Sequence, residues 1–203
     1  MNKKILLAVI FGFLIGTAWL VAIRFFTYKS DTVHYHANFA LYINGQQDEF
    51  DNFTFYEEVQ GCEADAMNNP KARTHLHGEV ASVIHVEDTA VTWGHFFANL
   101  GYGLTDNSIR NDEGVFVAGD SGSSLSFWLN GKEVSSVANR VIDSEDVLLV
   151  NYGPADEDTI HERFDAIPTD AGEYNGKSDP SSCAGTKPTT LLERLRSATN
   201  MSF

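Results

Sequence analysis

An unbroken apolar run from Ile5 to Ile23, introduced by Lys3 and Lys4, divides this 203-residue chain before any other feature is read. At a rise of ~1.5 Å per residue such a run is long enough to cross the hydrocarbon layer of a bilayer. A cleavable signal peptide has a shorter apolar core and a small-residue exit, whereas this run closes on Trp19, Arg24, Phe25 and Phe26, which suit the membrane interface. The expectation is an uncleaved signal-anchor, a transmembrane helix over residues 5–26. The basic amino terminus then stays in the cytoplasm, and the chain is a single-pass protein of the cell membrane with its ectodomain outside the cytoplasm.

The charge balance changes at the same boundary. Every Asp and Glu lies at or after Asp31, and four of the fourteen basic residues precede it, leaving 28 acids against 10 bases outside the membrane. A surface of that sign repels a phosphate backbone and attracts cations or basic proteins, which excludes nucleic acid as a partner class. A salty habitat would select the same surface.

Beyond the anchor the pattern is that of strands. VHYHANFALYING alternates and ends in Asn44-Gly45, a hairpin signal, with a returning strand expected over Glu49–Phe55. THLHGEVASVIHVED reads as two short strands broken near Gly78-Glu79. In TWGHFFANLG, Trp93, Phe96, Phe97 and Leu100 recur at helical spacing before Gly101, which predicts one short core helix. VFVAG, SLSFWLNGKEV and DVLLVNYG add further strands. The expected class is α+β: the transmembrane helix, a mostly β mixed-sheet ectodomain over 31–153, and a carboxyl-terminal part over 154–203. In that last part residues 154–190, rich in Pro, Gly, Asp and Ser, read as a surface strap. The LLERLRSA segment after Thr190, with Glu193 in capping-box spacing to that threonine, reads as a helix docked on the domain.

Two cysteines, Cys62 and Cys183, in an exported chain are most simply one disulfide, tying the strap to the domain across a loop of about 120 residues. A closed loop of ~100 residues is worth ~4.7 kcal/mol in the chain-entropy model. Free thiols, or one thiol serving as a soft metal ligand, are the alternative. The chain has no C-x-x-C, which argues against a disulfide exchanger.

The chemistry lies in the histidines. Five of seven fall in two short stretches, His34 and His36 in one and His75, His77 and His85 in the other. In a strand, residues i and i+2 share a face, so each His-x-His pair is a candidate bidentate clip. Neutral imidazole suits Zn or Cu, and Glu79, Glu87 or water would complete the set. If the 34/36 hairpin lies beside the 75/77 strand, four imidazoles meet, with His85 close enough to join. An ordinary structural cluster of stacked rings is the alternative. His95 is expected in the core or behind the cluster, and His161 in solvent.

The order of strand pair, helix and further strands, with a last strand introduced by the acidic turn of Asp143, Glu145 and Asp146, resembles a β-grasp over residues 74–153. Taken whole, HYHANFALYING, THLHGE, VIHVED, VTWGHFFANLG and DPSSCAG are similar to a set of uncharacterised, membrane-anchored exported proteins of small prokaryotes. That set carries no activity to transfer.

Three function classes follow. A metal-binding or metal-delivering surface module leads. A protein-interaction module with a structural histidine cluster would present the FTFYEEV segment or the last helix to a protein partner. A metal-dependent hydrolase would use Glu79 or Glu87 as general base. No G-x-S-x-G, Walker loop, G-x-G-x-x-G or H-E-x-x-H occurs in the sequence, so no catalytic residue is assigned.

Overall fold

The computed structural model describes residues 2–28, 33–56, 69–78, 80–177 and 191–199. The chain separates into two compact units, Met1–Asp31 with Lys187–Phe203, and Thr32–Thr186. The first unit contains helix α1 (Lys3–Thr27) and helix α5 (Leu191–Thr199), which pack against one another. Asn2 caps α1 by accepting from the Lys4 amide, and the hydroxyls of Thr17 and Thr27 donate back to carbonyls of their own helix. That back-bonding satisfies the polar groups of an otherwise apolar helix without water. The helix is long and apolar enough to span a membrane, and a signal sequence meets the same description. Helix α5 belongs to the same compact unit as α1. Its expected cap rests on Thr190, outside the described residues.

In the second unit, seven strands among the described residues form a mixed sheet. Its centre is β1 (Tyr35–Ile43), parallel to β10 (Val147–Tyr152). On the other edge of β1 lie β4 (Val80–Val86) and, outermost, β3 (Thr74–His77). Beyond β10 come β8 (Leu125–Leu129) and β9 (Lys132–Val134). Strands β5 (Gly103–Leu104), β6 (Ser108–Arg110) and β7 (Val115–Val117) make a separate small sheet.

The returning strand of the first hairpin is much shorter than its sequence suggests. The turn forms at Asn44-Gly45, both with positive φ, but β2 is only Gln46–Gln47. On the same edge of β1, β4 takes Tyr35–Asn38, and β2 pairs only with Tyr42 and Ile43. Asp48 then turns the chain away by accepting from the Phe50 amide and from the Tyr102 hydroxyl. Phe50, at φ 45°, buries its ring against Phe39, Phe55 and Tyr102, and residues Phe53–Tyr56 form a 3-10 turn where a strand was expected.

Alternation along β1 divides the core. Ala37, Phe39 and Leu41 face helix α2 (Trp93–Asn99), whose Trp93, Phe96 and Phe97 are fully buried. His95 is not part of that core. It is exposed and closes a capping box at the helix start, its amide donating to Thr92 Oγ1 and its Nδ1 accepting from the Thr92 amide. The opposite face of the sheet is also covered. Residues expected as an irregular strap form α3 (Glu157–Asp165) and α4 (Ala171–Asn175), and Ile160 and Ile167 pack on Ala40 and Leu149. The sheet therefore has helices on both faces instead of one, and β1 is buried continuously from His36 to Leu41. His161 is half exposed, with its ring 4.8 Å from that of Trp128. Cys62 and Cys183 lie outside the described residues.

Candidate metal centre

The register of three neighbouring strands puts the histidines together. His36 on β1 is the direct cross-strand partner of His85 on β4, and His85 is in turn the partner of His75 on β3. Directly opposed residues on adjacent strands share a face, so the three rings form a row across the sheet. His34, two residues before His36, joins the same face.

The contacts are close. The His36 and His85 rings stack with centroids 4.7 Å apart and planes inclined by 22°. His34 lies 5.0 Å from His36 and 4.7 Å from His85, both edge to face. His75 is 5.0 Å from His85. One ring nitrogen from each of His34, His36 and His85 lies within 4.8 Å of the others, so this trio could hold a metal ion. Tetrahedral coordination with metal–nitrogen bonds of ~2.0–2.1 Å brings such nitrogens to roughly 3.3 Å, so loading would draw the rings inward. His36 and His85 are fully buried, and His34 is partly so.

Carboxylate and backbone groups surround the trio. Glu87, with a side chain 8% exposed, places Oε1 3.5 Å from His85 Nε2. His75 Nδ1 is 2.9 Å from the Lys71 carbonyl oxygen, which can only accept, so that nitrogen carries the proton and Nε2 the lone pair. Helix α4 roofs the face, with the Tyr174 ring 5.7 Å from that of His36. Asn175 Oδ1 lies 2.8 Å from the His36 amide nitrogen and 3.0 Å from His36 Nδ1.

The sequence placed the two His-x-His pairs on neighbouring strands. They are instead separated by β4, and His85, expected at the margin, is at the centre. His77 belongs to β3, where the ladder slips between Leu76 and His77, so that the backbone of His77 pairs with Val80. Glu79 is outside the described residues.

What the sequence reading missed is the roof. Asn38 is buried on the histidine face of β1, and its side chain is bonded to the start of α4: Nδ2 donates to Asp170 Oδ1 at 2.8 Å and to the Ser82 carbonyl at 3.2 Å, and Oδ1 accepts from the Ala171 amide at 2.9 Å. A lone amide inside the apolar stretch ANFALYI was the available signal, because a buried amide needs partners. Compared with protein-family models, curated proteins and solved structures, the chain matches none.

Proposed function

We propose that this chain is a membrane-anchored protein whose ectodomain binds a transition metal, Zn or Cu, through His34, His36 and His85. The observation that carries the proposal is the convergence of three imidazoles, His36 and His85 from adjacent strands and His34 from the residues just before β1, their nitrogens within 4.8 Å of one another and two of the residues fully buried. A set of three imidazoles beside a carboxylate suits borderline cations better than hard ones. His75 and Glu87 adjoin the trio and are the next candidates for a fourth ligand, ahead of His77 and Glu79. The apolar α1 serves as the anchor, and the acidic domain beyond it as a cation-attracting surface.

The domain itself we read as a β-grasp, starting at β1 and not at β3. Support comes from the strand order β4-β1-β10-β8 with the central pair parallel and α2 against one face. A protein-interaction role finds support in Leu191, Leu192 and Leu195 of α5, all at least half exposed. A cleft of about 500 Å³ among the described residues is lined by Asp48, Glu49, Asp112 and their neighbours.

Elemental analysis of the full chain purified in detergent tests the proposal beside a His36→Ala/His85→Ala variant. One equivalent of zinc or copper in the first and none in the second is expected. Equal metal content in both, or none in the wild type after incubation with either ion, would refute it.

A further inference from the structure

We infer that Asn175 is a positioning residue for this site, fixing the tautomer of His36 so that Nε2 is the nitrogen offered to the ion; this rests on the metal-binding reading above. The His36 N–H is an obligate donor, so the Asn175 atom 2.8 Å from it must be the carbonyl oxygen Oδ1 and not the amide nitrogen. That assignment agrees with the other end of the side chain, where Nδ2 faces two acceptors, Ser144 Oγ at 3.0 Å and Glu145 Oε1 at 3.4 Å.

The same Oδ1 lies 3.0 Å from His36 Nδ1. An oxygen that only accepts requires a proton on Nδ1, which leaves the lone pair on Nε2. Histidine ligands of metal ions characteristically donate their second N–H to a carbonyl or carboxylate, and losing that partner costs 10- to 100-fold in metal affinity. Asn175 supplies such a carbonyl from a different element, and α4 is held there at several points. Asn38 binds Asp170 and Ala171 at its start, a Cβ on Gly172 would lie 3.2 Å from the Glu145 side chain, and Glu145 is itself tied to β1 by its amide, which donates to the His36 carbonyl at 2.8 Å. Helix α4 is therefore more than a cover: it presents one acceptor to one ligand.

Two measurements on the full chain in detergent test this. With 15N-labelled histidine at pH 8 and no metal, His36 is expected as the Nδ1–H tautomer; an Nε2–H tautomer would overturn the inference directly, with no variant needed. Zinc affinity, measured by competition with a chromophoric chelator, is expected to fall 10- to 100-fold in Asn175→Leu. It should recover in Asn175→Asp/Glu145→Gln, which exchanges donor and acceptor at the outer end while keeping the oxygen toward His36. A wild-type zinc affinity in Asn175→Leu, with binding abolished in His36→Ala, would overturn the role of Asn175 and leave the metal site standing. Absence of zinc binding in the wild type would remove both.

Discussion

His36 and His85 are direct partners across the β1–β4 ladder, their rings stacked 4.7 Å apart, and His85 is the member of the cluster that also touches His34 and His75. A ligand at that position links every other histidine of the row. Metal binding should accordingly stabilise the fold through His85. A ligand that binds only the native state adds ~2.7 kcal/mol at a free concentration of 100 Kd. The wild type should show that gain in denaturant unfolding with zinc, and His85→Ala should show none; an equal gain in His85→Ala would place the ion elsewhere.

Asn38 holds α4 on the sheet through two hydrogen bonds, to Asp170 and Ala171, and donates a third to the Ser82 carbonyl of β4. Replacing it with leucine leaves the buried Ala171 amide and the part-buried Asp170 carboxylate without their partner, a cost of about 1–3 kcal/mol. Hydrogen exchange should then quicken in α4 more than in β10. Unchanged protection of residues 171–175 would mean that the helix is held by other contacts.

How much of this was legible depends on what each feature needs. The Asn44-Gly45 and Asn130-Gly131 turns and the helix at Trp93 are local: positive φ at the turns, and a capped aromatic stripe for the helix, are written into a few adjacent residues. The length of β2 was not local, because the chain leaves the edge of β1 at Asp48, which is bonded to Tyr102, 54 positions away in the chain. Helix α3 had a signal that composition masked. Ile160, Phe164 and Ile167 recur at helical spacing behind the Asp156 cap, but polar neighbours lowered the average. The histidines could be assigned to a face by the period of two, yet their neighbours depended on strand order. The acceptor from Asn175, 139 positions away in the chain, had no sequence signature at all.

Tyr102 ties the small sheet region to the hairpin through its bond to Asp48. Burial raises its pKa above the usual tyrosine range, and the bond to Asp48 together with the charges of Asp48, Asp112 and Glu113 raises it further. A group whose folded pKa exceeds its unfolded value contributes stability that is intact below the unfolded value, ~10, and is lost as pH rises through the folded one. Tyr102→Phe should lower stability by about 1.5–3 kcal/mol near neutrality, as for a hydrogen bond to a charged group. It should also flatten the loss of stability above pH ~10. An alkaline limb as steep as that of the wild type would assign the effect to other groups.

The proposed sharing of one ion by His34, His36 and His85 is tested by following the imidazole 15N resonances of the full chain during titration with zinc. These three histidines are expected to change together and saturate at one equivalent, while His95, which caps α2, and His161, beside Trp128, do not move. Saturation without any change in His36 and His85, or their remaining unperturbed with zinc in excess, would contradict it.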